Sequence, residues 1–356
     1  MALQATFKKK VFTFSFKART SRGPMKDKTS WFILLRDSEV PGVCGIGECG
    51  PLPGLSIDAV PGFEEVLRDV LQQVNGLPVT DVSRLSELVP IDFPSICFGL
   101  ETAALDFVNG GRRIIFDNNF LRGEPIPING LIWMGDLDFM MNQINEKISI
   151  GFRCVKLKVG GLDFERECHV LEYLRKRYYK LDIEIRLDAN GAFKIDEALY
   201  KLKELARYNV QSIEQPIKPG LPEMEELCRK SPIPVALDEE LIGKHSRRER
   251  TKLLQTIKPH YIILKPTLLG GLASCDEWIS IAGENNIGWW VTSALESGIG
   301  LNAICQFTAK YPVTIPQGLG TGGIYEDNFE SPLQVKDGLI FHNPERAWMI
   351  DELTSG

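Results

Sequence analysis

Lys156 and Lys158 stand two residues apart in the run CVKLKV (154–159). On an extended chain they share one face, while Val155, Leu157 and Val159 share the other. Taken alone the pair has an ordinary account, because lysines on an exposed edge strand discourage aggregation. Carboxylates further along weigh against it. The apolar runs at 184–189, 212–217 and 235–240 each bring an acidic residue toward their C-terminal end: Asp188, Glu214 and Asp238. A single one would read as a loop solvator. Three on consecutive runs, with no histidine or cysteine beside them, form a set of hard oxygen donors that suits Mg²⁺, with Mn²⁺ as a substitute. Lys265 closes a further run, ILKP (263–266), so three ammonium groups accompany three carboxylates. Burying that many lysines is costly unless something uses the charge. A lysine acts as a base only when neutral, and a neighbouring ammonium, a metal ion and partial burial all lower its pKa. The task that fits is removal of a proton from a carbon next to a carboxylate, giving an enediolate whose charge must be held as it forms.

The elements that must position these groups change character near residue 125. Before it come alternating segments, VFTFSFK (11–17) and SWFILLR (30–36), the turn-rich GIGECGPLPGLS (45–56), and helical patterns at 63–74 and 96–110. This predicts an α+β unit over 1–125. Gly45, Gly47 and Gly50 match G-x-G-x-x-G, but Pro51 and Pro53 stand where a dinucleotide-binding helix has to begin. After residue 125 an apolar run, a loop and an amphipathic helix recur. The runs fall at 128–132, 154–159, 184–189, 212–217, 235–240, 261–266, 289–294 and 314–321, with helical stretches such as DEALYKLKELARY (196–208) between them. The expected fold is α/β: a (β/α)7β TIM-like barrel over 126–321, an N-terminal α+β capping domain, and a C-terminal segment, 322–356, returning to complete the cap. Such a barrel carries its active site at the C-terminal strand ends, where the acidic residues lie.

Composition bounds the partners. A chain of 356 residues is long enough for two structural units, and a formal charge of −6 argues against a nucleic-acid partner. The basic runs RKRYYK (175–180) and HSRRER (245–250) lie among acidic residues in helix-like stretches and read as solvated faces. No apolar stretch approaches the ~20 residues of a membrane span, and Lys17 interrupts the N-terminal apolar run too soon for a signal peptide. The eight cysteines show no C-x-x-C spacing and read as free thiols in a reducing cytoplasm; the four histidines are not spaced as metal ligands. What remains is a small-molecule carboxylate substrate, with protein partners left open.

The whole chain resembles the enolase superfamily, in the branch related to muconate lactonising enzymes. The resemblance runs in family order through GIGECGPLPGLS, FGLETAALD (98–106), VKLKVG (155–160), RLDANGAF (186–193), IEQP (213–216), LDEE (237–240), ILKP, SALESGIG (293–300) and GLGT (318–321). It implies that Asp188, Glu214 and Asp238 bind Mg²⁺. It implies Lys158 as the base that takes the α-proton and returns it to a departing hydroxide, Lys156 beside it on the substrate carboxylate, and Lys265 across the ring. Arg186 shares a strand face with Asp188 and either reaches the site or pairs with a ligand carboxylate in the core. Cap loops near 20–30 and 50–56 would close over substrate, so Ser21, Arg22 and Gly54 are candidate contacts, each also readable as an ordinary loop residue. Ser293 and Glu296, at the end of the seventh run, have a stronger claim. The implied activity is that of a carbon-oxygen lyase, converting 2-succinyl-6-hydroxy-2,4-cyclohexadiene-1-carboxylate to 2-succinylbenzoate in menaquinone biosynthesis. Racemisation of N-acylamino acids and epimerisation of dipeptides use the same lysine pair. The Asp-x-Asp that holds a dipeptide's ammonium is absent from GLGTGGIYED (318–327), which disfavours a dipeptide.

Overall fold

The computed structural model describes residues 2–20, 23–40 and 42–355. It opens with an antiparallel sheet in the order β1 (Leu3–Thr20), β2 (Gly23–Asp37), β3 (Gly45–Cys49). β1 and β2 form a long ribbon from Leu3↔Asp37 to Thr20↔Gly23, irregular between Thr13 and Ala18. Phe12 and Phe14 are buried while Val11, Thr13 and Ser15 are exposed, the alternation that VFTFSFK predicts. Helices α1 (Phe63–Val74) and α2 (Pro94–Val108) pack on the sheet around a shared apolar core. β3 lies so close to α2 that a Cβ on Gly47 would overlap the Gly99 carbonyl oxygen, and one on Gly45 that of Ala103. The spaced glycines of GIGECG therefore serve a backbone contact.

The second unit begins after β4 (Ile126–Pro127). Seven parallel strands, each hydrogen-bonded to the next, are β5 (Gly130–Ile132), β6 (Cys154–Lys158), β7 (Glu184–Asp188), β8 (Ser212–Glu214), β9 (Val235–Leu237), β10 (Tyr261–Leu264) and β11 (Gly288–Val291). Helices α3 (Leu137–Ser149), α4 (Phe164–Arg177), α5 (Ile195–Ala206), α6 (Glu223–Lys230) and α7 (Arg247–Ile257) link successive strands. The short α8 (Pro266–Leu269) and α9 (Leu272–Glu284) link β10 to β11, and α10 (Gly298–Thr308) follows β11. The sheet curls: Arg186 on β7 lies with its guanidinium carbon 4.3 Å from the ring centre of Trp290 on β11, although β8, β9 and β10 separate the two in the sheet.

The predicted eighth strand departs from expectation. Residues 314–321 are not a regular strand; Gln317 bridges to Ile128 and Gly318 to Thr292, so the segment joins the two edges of the sheet. Pro316 lacks an N–H donor, and Gly318 and Gly320 weaken a ladder, which accounts for the irregularity. Beyond it, β12 (Leu333–Lys336) pairs with β13 (Leu339–His342), β13 pairs with β4, and a last turn of helix is α11 (Asp351–Thr354). This segment also lies against β1: Ser15 N donates to the Ile324 carbonyl, Glu326 N to that of Thr13, and Lys8 Nζ to that of Glu352. An apolar cluster including Phe12, Phe32, Leu52, Trp133, Leu295 and Phe329 spans the joint between the two units.

The basic runs are more than solvated faces. Arg175 donates to the carbonyls of Ile183, Tyr208 and Asn209, and Arg250 is buried over Trp278 with Glu277 at 2.7 Å. Each ties its helix to a neighbour. All eight cysteines are free, and among the described residues no helix is long and apolar enough to cross a membrane.

Candidate active site

Strand register gathers the charges. Lys158 pairs with Asp188 and Asp188 with Glu214 across β6, β7 and β8, so three inward side chains stand side by side at the C-terminal strand ends. Lys156, one layer below, reaches up to Asp188 at 2.9 Å and Glu214 at 2.6 Å. Lys158 Nζ donates to Asp188 at 2.6 Å and to Asn190 Oδ1 at 2.7 Å. Lys265, just past β10, contacts Asp238 and lies 3.9 Å from Glu214. Lysines and carboxylates are thus interleaved, and all but Lys158 are nearly inaccessible.

This interleaving decides the protonation. Burial favours a neutral Asp188, but Lys156 and Lys158 outweigh it and hold the carboxyl well below its usual range. Burial and the adjacent Asp188 push Glu214 up to about 8 against the pull of Lys156. Burial also raises Asp238, opposed by Lys265. Lys156 and Lys265 are raised, because Asp188 and Glu214 for the first, and Asp238 for the second, overcome the desolvation that would lower them. The sequence expectation was that neighbouring ammonium groups pull the lysines down; for these two the carboxylates reverse it.

Among the described residues no three acidic, histidine or cysteine side chains stand ready as a metal-binding set, since each carboxylate is turned onto a lysine. The donors nonetheless fit a hard cation. Glu214 Oε1 is buried without a hydrogen-bond partner. Lys156 touches both Asp188 and Glu214, and Lys265 approaches both Glu214 and Asp238, so the three carboxylates converge on one small volume. A divalent cation would take the oxygens that the lysines now hold.

Above the charges lies a cleft of about 750 Å³, counted out to its open mouth. Lys156, Lys158 and Lys265 line it, as does Ser293; Asp188, Glu214 and Asp238 lie behind the lysines. Glu296 does not face the cleft. It is buried under Ser293, accepting from Ser293 Oγ at 2.6 Å, from Ala294 N at 2.8 Å and from Thr267. Arg186 is not brought to the mouth either: it donates to Glu184 at 2.9 Å and to the Pro316 carbonyl at 2.7 Å, and stacks on Trp290. It sits one layer below Asp188, with an acidic partner on its own strand drawing it down. Gly54, at φ 76, only turns the loop that presents Leu52 and Leu55 to the cleft. Ser21 and Arg22 lie outside the described residues.

Other wall residues escaped the sequence reading. Asn190 orients Lys158 from a left-handed backbone position (φ 45) that asparagine tolerates, and its place in RLDANGAF was the available signal. Leu131 and Trp133 add apolar wall, while Asn129, Thr292 and Thr321 each present a buried side-chain oxygen with no partner.

Residues 140–346, more than half of the chain, match the family described as enolase C-terminal domain-like. The chain belongs to the enolase superfamily. It is 42% identical to the o-succinylbenzoate synthase of Desulfotalea psychrophila, over 95% of this chain and 98% of that one. The crystal structure of MenC from the same organism superposes with a TM-score of 0.82 at 39% identity, covering 96% of this chain and 100% of that one. A dipeptide epimerase from Enterococcus faecalis, solved with Mg and the dipeptide L-Leu-L-Tyr, shares the fold: its TM-score is 0.83 at 19% identity, covering 96% of this chain and 97% of that one.

Proposed function

We propose that this enolase-superfamily chain dehydrates 2-succinyl-6-hydroxy-2,4-cyclohexadiene-1-carboxylate to 2-succinylbenzoate and water, the o-succinylbenzoate synthase reaction. The observation that carries the reading is a cleft with Lys158 and Lys265 on separate walls above three converging carboxylates, in a chain 42% identical, nearly end to end, to a protein of that name. In this reading the curled sheet and the segment at 314–321 act as one (β/α)7β barrel.

The placement of the side chains supports the following roles. Asp188, Glu214 and Asp238 would hold Mg²⁺, with Mn²⁺ as a substitute, and when bound the ion supplies Lewis-acid polarisation of a substrate carboxylate. Lys156 steadies that carboxylate. Lys158, the least buried of the three lysines, takes the proton from the carbon beside it. The electron pair left on carbon moves into the ring as the C–O bond to the hydroxyl breaks, and Lys158 returns the proton to the leaving oxygen, so water departs and the ring becomes aromatic. Lys265 faces the ring from the other wall and offsets the negative charge as it develops. Leu52, Leu55, Leu131 and Trp133 exclude water, and the unpartnered oxygens of Asn129, Thr292 and Thr321 await the polar succinyl tail.

A second reading has a specific support. Lysines on both walls are also what proton exchange at a single carbon requires, so racemisation of an N-acylamino acid fits the same cleft. Ultraviolet monitoring of the cyclohexadiene acid separates them. Loss of the diene absorbance that EDTA abolishes and Mg²⁺ restores is expected. An unchanged diene, with solvent deuterium entering the α-carbon of an N-acylamino acid, would move the substrate to the racemase side.

A further inference from the structure

The cap meets the cleft at a carboxylate that the reaction does not use. Glu48, near the end of β3, is fully buried. Its Oε1 accepts from Ser30 Oγ at 2.7 Å and from Ser297 N at 3.0 Å; its Oε2 accepts from Ser297 Oγ at 2.6 Å and Gly300 N at 3.0 Å. Ser30 belongs to β2, whereas Ser297 and Gly300 open α10. Lys28, equally buried, donates to Ser30 at 3.2 Å and lies 3.9 Å from Glu48. The first amides of a helix favour a negative group, and here it comes from the other structural unit. The joint is tight, because a Cβ on Gly300 would lie 2.9 Å from Glu48 Oε2 and one on Gly50 2.5 Å from Lys28 Nζ.

What stands on either side gives the joint its meaning. Just past Glu48 in the chain, Leu52 and Leu55 form the cap side of the cleft; just before Ser297, Ser293 and Leu295 form the facing wall. Leu295 is held at φ 65, a conformation that a leucine keeps only when its surroundings enforce it. Its amide donates to Ser293 Oγ at 3.0 Å and its carbonyl accepts from Tyr325 at 2.7 Å. Glu101 of α2 makes a comparable joint elsewhere, accepting from Leu272 N at 2.5 Å and Ala273 N at 2.9 Å at the start of α9, but it borders neither wall.

We propose that Glu48 is a positioning residue that fixes the loop 51–56 against the wall 293–297 and thereby sets the shape of the cleft that receives substrate. The inference rests on the dehydration reading for its kinetic arm only. In the full chain, Glu48→Gln keeps the volume but must turn an N–H group onto a hydroxyl or amide donor. The expected result is amide hydrogen exchange about tenfold faster across 52–56 and 294–297, with KM for the cyclohexadiene acid raised about tenfold and kcat within about threefold of wild type. Glu101→Gln is expected to lower Tm and leave both readouts unchanged. A Glu48→Gln protein that melts earlier, with local exchange and KM unmoved, would reduce Glu48 to a structural contact and overturn the proposal, as would a loss confined to kcat. If the wild type does not consume the acid, the assigned reaction falls and the exchange data alone decide. Should Glu48→Gln not fold, Ser30→Ala removes one of its donors and is read in the same way, with loop exchange about threefold faster expected and no acceleration counting against the proposal.

Discussion

Lys158→Ala separates chemistry from architecture. Asp188 is held by two lysines, Lys158 at 2.6 Å and Lys156 at 2.9 Å, so removing the first leaves the buried carboxylate paired with the second. The larger penalty for stranding a buried charge, about 3–5 kcal/mol, is therefore avoided. Asn190 Oδ1 loses its donor but keeps contact through Nδ2 with Glu239 at 3.0 Å. Stability is expected to fall by roughly 1 kcal/mol, the worth of a partly exposed hydrogen-bonded pair. Removing a positioned base costs roughly 10²–10⁴-fold in rate, which at about 1.4 kcal/mol per decade is about 3–5 kcal/mol of barrier. The assay is single-turnover loss of the diene absorbance at saturating Mg²⁺, with thermal unfolding of the same preparation. A variant that turns over within tenfold of wild type would refute Lys158 as the base. One that loses activity only in proportion to unfolded protein would refute the separation of roles.

Lys156→Met takes from Glu214 its nearest cation, leaving Lys265 at 3.9 Å, while Asp188 keeps Lys158 at 2.6 Å, and is expected to destabilise the metal-free protein by about 1–3 kcal/mol, with Mg²⁺ raising Tm more in the variant than in wild type; an equal Mg²⁺ response would count against the carboxylates as its ligands. Burial lifts Asp58 to about 6 in the folded protein, so it holds its proton more tightly folded than unfolded, and the associated stability is present below about pH 4 and lost as pH rises through about 6. Asp58→Asn keeps the oxygen that accepts from Ser95 and places its amide where Oδ1 has no partner, so urea unfolding should find it up to ~3 kcal/mol more stable than wild type at pH 7 and nearly equal at pH 4; no difference between the two pH values would be contrary. Gly47→Ala places a methyl against the Gly99 carbonyl and should lower stability by roughly 3 kcal/mol or more, and a variant within 1 kcal/mol of wild type would show that β3 and α2 can part.

Much of this was legible because strands repeat every two residues and the charges sit at strand ends. The same periodicity puts Arg186 on the inner face with Asp188, as found, but period says nothing of depth. Whether an inward arginine reaches the mouth depends on what lies below it, and Glu184, Pro316 and Trp290 are known to be neighbours only once the sheet curls. The loop at 51–56 shows the same limit: its turn was readable from glycine and proline, but which side chains the turn aims at the cleft was not, and they are Leu52 and Leu55 rather than Gly54. Glu48 and Glu101 lie beyond local reading altogether, since the helix-start amides they accept from are in the other unit. For the eighth run, an apolar stretch counted as a strand while Pro316 and two glycines had already removed what a ladder needs.

That seam has a mechanical consequence. The sheet carrying the charges is a hoop fastened by a clasp: Asn129 N to the Gln317 carbonyl, Gln317 N to that of Pro127, Gly318 N to that of Val291, and Ser293 N to that of Gly318. The residues beside the clasp, Asn129, Thr292 and Thr321, line the wall away from Asp188 and Glu214. The closure runs through main-chain N–H and carbonyl groups while Gly318, Gly320 and Thr321 of the same segment line the cleft, so a side-chain change at Thr321 would reshape the wall and leave the hoop fastened.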